Sequence, residues 1–388
     1  MNLSAHPTLR WQDLGSTRPE WGTLAGAGAT FHYTYNGRAA LYQLLRAMPR
    51  SGRDTVLLPA FHCTTVVEPA LRAGWKVRFY HIQQDLSLDL EDLECQLSNE
   101  VAAILVIHFL GFPAPLENVL RMSRKFSCHL IEDWAHSFLL GPQPHLPGDQ
   151  GDFAVFSFYK HAPSFAGGGL RVNLQIPWSL PSQQRAGLVQ TARIFKRLFE
   201  QAIENSPRGP LKAAFRKLEE WRVERKQGRN TAAEISAGTS AGSSYEFSDQ
   251  LARAGIPWLS RQVLQASCWN SLFEARRRNY ECLAQNLEEN SWLKKVHPIL
   301  PADVCPWAFP VWMPARSEHD HQLRARGVPL FTFGETLHPI IVQSSTRTHN
   351  AAKSLSEYLL LLSVHQNLEL VDMERTAQLV NDFYKRMA

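Results

Sequence analysis

The chain has 388 residues, of which 44% are hydrophobic and 20% charged, and its formal net charge is +5. That length and apolar fraction are enough for a full core and two domains, while so small a net charge without a focused basic patch argues against nucleic acid as a partner. The cysteines (Cys63, Cys95, Cys128, Cys268, Cys282 and Cys305) form no CxxC pair, so neither a zinc site nor a disulfide framework is expected, and the expected setting is a reducing, cytoplasmic one.

The first residues, MNLSAHPTLRWQDLG, lack a basic start followed by an apolar run, so no secretory leader is expected. No stretch reaches the ~18 unbroken apolar residues that a membrane span needs. Residues 1–30, irregular and rich in Gly, Pro and Trp, read as an arm. GRAALYQLLRAM (37–48) then places apolar residues at helical spacing. TVLLP (55–59) is a short buried strand stopped by its proline, and TTVVEPALRAG (64–74) is a helix whose Gly74 suits the C-terminal cap. KVRFY (76–80) is a strand and LDLEDLECQL (88–97) an amphipathic helix. VAAILVI (101–107) is apolar throughout, as strands buried on both faces are. A helix at PLENVLRMSRKF (115–126) and strands at HLIED (129–133) and FAVFSF (153–158) continue the alternation. The rhythm predicts an α/β fold with a mainly parallel central sheet and helices on both faces.

Beyond residue 178 the pattern changes. Residues 180–229 read as helical and basic, and SAGTSAGSS (236–244) as a small-residue linker or mobile loop. From 250 onward we expect a helix near 261–290, short strands around CPWAFPVWM (305–313), and helices at 351–362 and 372–386. The division is then an arm (1–30), a large domain (31–248, with the excursion at 180–245) and a smaller α+β domain (249–388).

Chemistry concentrates around SFYKHAPSFAGGG (157–169). Ligands of open parallel sheets bind at the carboxyl ends of the strands. Asp133 ends one such strand, Ser157 and Lys160 end another, and Gly37 and Arg38 open the first long helix, whose N-terminus suits an anion. An anion site, a carboxylate and a lysine together suit pyridoxal phosphate: the amine forms a Schiff base with the aldehyde, and the carboxylate keeps the pyridine nitrogen protonated. Blander readings exist for each group. Lys160 alone is an ordinary surface charge, Asp133 a helix cap, His136 a packed imidazole, Arg38 a surface cation and Ser157 a local backbone partner. Ser157 and Lys160 also match the Ser-x-x-Lys of penicillin-recognising hydrolases, but no Lys-Thr-Gly follows and Ser157 ends a strand rather than opening a helix. Gly167–Gly169 is not GxGxxG and precedes a strand, which argues against a nicotinamide site. SEHDHQL (317–323) reads as a polar turn into a helix, and no metal site is expected there.

The order and spacing of IEDWAHSF (131–138), GDFAVFSFYK (151–160) and GGGLRVN (167–173) resembles the DegT/DnrJ/EryC1/StrS aminotransferases, which are fold-type-I pyridoxal phosphate enzymes. YNGRAALYQLL (35–45), VLLPAFHCTTVVEPALRAGWKVRFY (56–80), VIHFLGFPAPLENV (106–119), CPWAFPV and LSVHQNL (362–368) extend the resemblance over roughly 35–175 and 250–388. It implies that Lys160 is the Schiff-base lysine and proton carrier, and that Asp133 pairs with the pyridine nitrogen. His136 would approach the ring hydroxyl, while Ser157 and the backbone at Gly37–Arg38 would hold the phosphate. Three departures stand out. Many members have Ser-Phe-x-x-x-Lys, and here the lysine comes two positions earlier. The family's Gly-Thr at the phosphate is Gly-Arg here. The aromatic that usually covers the ring is replaced by Cys63, and Phe61, His62 and Cys63 all stay open as the covering group.

The resemblance further implies transfer of an amino group from an amino acid, glutamate or glutamine, to a keto acceptor, by default a nucleotide-linked keto-sugar. It implies a homodimer with shared active sites, for which Asn230 and the 236–244 loop are crossing candidates by position. The rival is a catalytically altered relative, dehydratase-like or a non-catalytic partner in a biosynthetic cluster. The basic excursion at 180–245 suits a partner-binding role best, whereas the presence of Lys160 argues for catalysis.

Overall fold

A computed structural model describes residues 3–10, 29–138, 146–174, 180, 182–204, 247–343 and 347–387. Two apolar runs centre the fold: β2 (Thr55–Pro59) and β4 (Val101–Ile107) are buried at every residue. Strands with no polar alternation must be covered on both faces. The covering helices include α1 (Gly37–Ala47), α2 (Thr64–Arg72), α3 (Leu90–Gln96) and α4 (Leu116–Lys125). With β1 (Thr30–Thr34), β3 (Lys76–Tyr80), β5 (His129–Trp134), β6 (Phe153–Ser157) and β7 (Gly168–Val172), these strands form a seven-stranded sheet of order β1-β7-β6-β5-β4-β2-β3. Pairings from β3 through β6 are parallel; β7 runs antiparallel to both β6 and β1. The mainly parallel sheet expected from the alternation is present. The antiparallel edge strand β1 escaped sequence reading, because TFHYT is short, half-exposed and weakly apolar.

Downstream lie α5 (Leu188–Glu204), α6 (Asp249–Ala252), α7 (Trp258–Ala266) and α8 (Trp269–Asn286). A second sheet then combines β8 (Lys294–Lys295), β9 (Ala308–Trp312), β10 (Leu330–Phe331) and β11 (Leu359–Ser363) in the antiparallel order β10-β11-β9-β8. It is joined by α9 (Arg316–Ala325), α10 (Pro339–Gln343), α11 (Arg347–Tyr358) and α12 (Leu370–Lys385). Strand alternation divides its side chains. Ala308, Phe331, Leu359 and Leu361 join the core of the large sheet. Phe309, Val311, Leu330, Leu360 and Leu362 face the other way, into a cluster with Tyr280 and Leu283 of α8 and Val380 and Phe383 of α12.

Two expectations are corrected. The helix expected near 261–290 is two helices, α7 and α8. At Ser267 the backbone turns extended, and the Ser267 hydroxyl donates to the Val263 carbonyl at 2.8 Å, a local bond that competes with helix continuation. The helix expected at 351–362 ends at Tyr358, and its LLLLS tail is the buried strand β11; a short apolar run does not reveal its own period. Of the helical excursion, residues 180 and 182–204 are described, with the helix α5 starting only at Leu188; residues 205–245, with Asn230 and residues 236–244, lie outside the described residues. Of the arm, residues 3–10 dock on the second sheet, where Ser363 donates to the Ala5 carbonyl at 2.8 Å and Asn367 accepts from the Thr8 amide at 2.7 Å. Among the described residues no helix is long and apolar enough to cross a membrane.

One glycine seats the first helix on the sheet. Gly168 of β7 faces the Asn36–Gly37 peptide, and a Cβ there would collide with the Asn36 carbonyl and lie 2.6 Å from the Gly37 nitrogen. Gly168→Ala should therefore cost about 1–3 kcal/mol of stability by overpacking, measured as a lowered midpoint in urea unfolding.

Candidate active site

The carboxyl ends of β5 and β6, the N-terminus of α1 and the start of α2 surround a cavity of about 260 Å³. Gly37, Arg38, Asp133, His136, Ser157 and Lys160, the residues singled out from sequence, all line it. Local geometry explains their convergence. A Cβ on Gly37 would lie 3.2 Å from the Phe156 carbonyl and 3.3 Å from Ser157 Cβ, so α1 begins pressed against the end of β6. Asn36 caps that helix by accepting the Ala39 amide at 2.9 Å. Strand β6 stops at Ser157, and Phe158–Lys160 make one tight 3-10 turn that turns Lys160 towards the cavity.

Strand β5 carries consecutive acids with opposite fates. Glu132 points away from the cavity and is fully partnered: it accepts from the Trp134 indole at 2.8 Å, from His108 at 3.2 Å and from the Gln150 and Gly151 amides. Burial raises its pKa, but these bonds outweigh burial and hold it below the ordinary value. Asp133, one residue on and therefore on the other face, lines the cavity. Its Oδ1 accepts the Ala135 amide at 2.8 Å. Burial lifts its pKa above the ordinary carboxylate value, against the pull of the Lys160 cation and the Ala135 amide.

Lys160 is half-buried. Desolvation lowers its pKa from the ordinary 10.5, opposed by Asp133 and Cys63. Asp133 and Lys160 feel each other's charge across the cavity, yet among the described residues neither forms an ion pair. His136 is buried, and burial with the neighbouring Lys160 cation drives its pKa well below 6.5. Its Nδ1 accepts the Leu110 amide at 3.2 Å, so in the neutral ring Nε2 carries the hydrogen. Ser157 shares a hydrogen bond with the phenol of Tyr159, a cavity residue not foreseen from sequence.

The three candidates for the ring-covering position separate. Phe61 is fully buried against Phe109 and Phe333. His62 stacks on Phe79 at 5.5 Å, and its Nδ1 donates to the Pro59 carbonyl at 2.8 Å. Cys63 lines the cavity. The second sheet region contributes two groups that sequence reading did not single out. Phe333 lines the cavity, and the Trp307 ring lies 4.7 Å from Lys160 Nζ and stacks on His136 at 4.3 Å. Residues 317–323, expected as a polar turn into a helix, lie wholly inside helix α9, and the described residues contain no metal-binding group of His, Cys, Asp and Glu.

The donor set suits pyridoxal phosphate. Arg38, Lys160 and Arg197 bring three cations to the cavity against the one carboxylate of Asp133, and a helix N-terminus opens into it. That excess of positive charge fits a dianionic phosphate. An enclosed acid and amine that do not neutralise each other leave one group for a ring nitrogen and the other for an aldehyde.

Comparison with known proteins agrees with this geometry. Residues 29–172 match the model of the DegT/DnrJ/EryC1/StrS aminotransferase family. The chain is 26% identical over 135 residues to GDP-perosamine synthase of Escherichia coli O157:H7, covering 34% of this chain and 37% of that protein. It is 31% identical over 106 residues to UDP-4-amino-4,6-dideoxy-N-acetyl-beta-L-altrosamine transaminase of Campylobacter jejuni, covering 26% of this chain and 28% of that protein. The matched stretches thus span about a third of these curated relatives. In fold the whole chain is similar to Helicobacter pylori PseC, an aminotransferase involved in the biosynthesis of pseudoaminic acid: the TM-score is 0.63 at 15% identity, over 97% of this chain and 93% of that one.

Acylation of Lys160 by acetic anhydride, followed by mass spectrometry over a pH series, should show a midpoint below 10.5 because desolvation disfavours the ammonium. Asp133→Asn should move it lower still, since the carboxylate favours the charged amine.

Proposed function

From the match of residues 29–172 to the DegT/DnrJ/EryC1/StrS aminotransferase family model, we propose that the chain is a pyridoxal-phosphate-dependent aminotransferase. Its donor is an amino acid, glutamate by family resemblance, and its acceptor is a nucleotide-linked keto-sugar. The observation that carries the reading is the pair of opposite charges, Asp133 and Lys160, on one cavity without an ion pair between them.

Bound pyridoxal phosphate would supply an aldehyde for amine capture and a ring that stores negative charge. Asp133 would hold the proton at the ring nitrogen. Lys160 would hold the aldehyde group, and its amine would take and return the proton at the donor α-carbon. Its lowered pKa suits that work, because more of the amine is neutral near pH 7 than in a free lysine. His136, neutral and with Nε2 carrying hydrogen, would donate towards the ring hydroxyl. Ser157, Arg38 and the α1 N-terminus at Gly37 would hold the phosphate, and Cys63 would cover a ring face. The sugar acceptor is supported by the names of the relatives, a perosamine synthase and an amino-sugar transaminase. We assign the chain to the cytoplasm as a homodimer, with the large and small domains divided near residue 248.

Purified protein mixed with pyridoxal phosphate should turn yellow, and Lys160→Ala should not. Incubation of the pyridoxamine phosphate form with a panel of nucleotide-linked keto-sugars and simple ketones should then give amino products by mass, with the sugar nucleotides fastest. A wild-type protein that stays colourless refutes the reading.

A further inference from the structure

Arg276 of α8 is 1% exposed and has no acidic partner among the described residues. Burying a guanidinium without a carboxylate costs several kcal/mol unless its donors are well used. Its partnered donors go to one place, while Nη2 is buried with no hydrogen-bond partner among the described residues. Nη1 donates to the carbonyls of Pro306 and Trp307, each at 3.2 Å, and Nε donates to Gln366 Oε1 at 3.3 Å. Gln366 in turn donates to the His161 carbonyl at 2.9 Å, one residue past Lys160. The Trp307 amide donates to the Leu110 carbonyl at 2.9 Å, while the Leu110 amide donates to His136 Nδ1 at 3.2 Å. The Trp307 backbone is held at both its amide and its carbonyl, and its indole ring lies 4.7 Å from Lys160 Nζ and 4.3 Å from the His136 ring.

We infer that Arg276 is a positioning residue for Lys160, acting through Trp307: it pins the backbone that holds the indole face against the lysine ammonium. The inference rests on Lys160 being the working amine of the proposed function. A ring face favours the ammonium over the amine, so the contact offsets part of the desolvation that disfavours the charged form. The other groups that set the balance are Asp133 at the end of β5, Cys63 ahead of α2, His136 in the turn after β5, and His161 beside Lys160. Arg276 is also a cation in the same interior, and this lets the two possible roles be told apart by sign. As a mere neighbouring charge, Arg276 disfavours the ammonium, and its removal would leave Lys160 more protonated. As the holder of Trp307 it favours the ammonium, and its removal would leave Lys160 less protonated.

The test is acetic anhydride labelling of Lys160 across pH in the full chain freed of bound pyridoxal phosphate, read by mass spectrometry. Trp307→Leu is expected to raise the amine-to-ammonium ratio about tenfold at a given pH, the weight of a ring contact of ~1.4 kcal/mol, and Trp307→Phe to keep most of the wild-type ratio. Arg276→Met is expected to raise the ratio in the same direction, and the double variant Arg276→Met/Trp307→Leu to go no further than Trp307→Leu alone. Arg276→Lys keeps the charge but does not span two carbonyls and a glutamine, so it should behave like Arg276→Met and serves if that variant does not fold. An unchanged or lowered ratio in the Arg276 variants, or additive effects in the double variant, overturns the inference. Colour with pyridoxal phosphate is scored separately on wild-type protein: labelling as expected in a protein that stays colourless refutes the cofactor reading and leaves the ring contact supported.

Discussion

The site depends on one electrostatic arrangement: a buried carboxylate and an amine that sense each other across a cavity without closing on each other. Direct contact would neutralise both. Each is instead left partly paid in charge, with Asp133 raised and Lys160 lowered by burial, and each moderated by the other. Such an arrangement survives only if the surrounding structure keeps the groups apart. Asp133 is tied by its bond from the Ala135 amide, and Lys160 by the tight turn that ends β6.

Most of the remaining architecture serves that separation. Adjacent parallel strands β4, β5 and β6 end at the same level, so residues at their carboxyl ends meet across one crevice. Helix α1 begins at the same crevice because Gly37 and Gly168 allow its first turn to lie directly on β6 and β7. The unused acid, Glu132, is equally informative. Its four donors, together with the stack of His108 on Trp134 at 3.8 Å, lock β5 from behind and fix which face Asp133 presents.

The second sheet is more than a lid of filler. One face completes the core of the first sheet, and from its strands and loops Trp307 and Phe333 reach the site. Phe333 meets His136 edge-on at 4.6 Å while Trp307 stacks on the same ring at 4.3 Å, so this imidazole is held between two aromatic groups from the far end of the chain. Its neutrality follows from that enclosure and from the nearby ammonium.

The sequence by itself determined the parallel sheet and six of the residues that line the crevice, Gly37, Arg38, Asp133, His136, Ser157 and Lys160. An all-apolar run such as VAAILVI has no other stable home than a strand covered on both sides, and chain order alone places Asp133, Ser157 and Lys160 at strand ends. It failed where local pattern is ambiguous: LLLLS has no readable period, and TFHYT becomes a strand only because the Gly168–Val172 edge is there to pair with it. Tertiary structure decided the rest. That Cys63 rather than His62 faces the cavity depends on Phe79 being near enough to take the imidazole. That Trp307 touches Lys160, more than a hundred positions away, with Arg276 behind it, depends on contacts that tertiary packing makes. Such contacts are made by packing, which leaves no periodic trace along the chain.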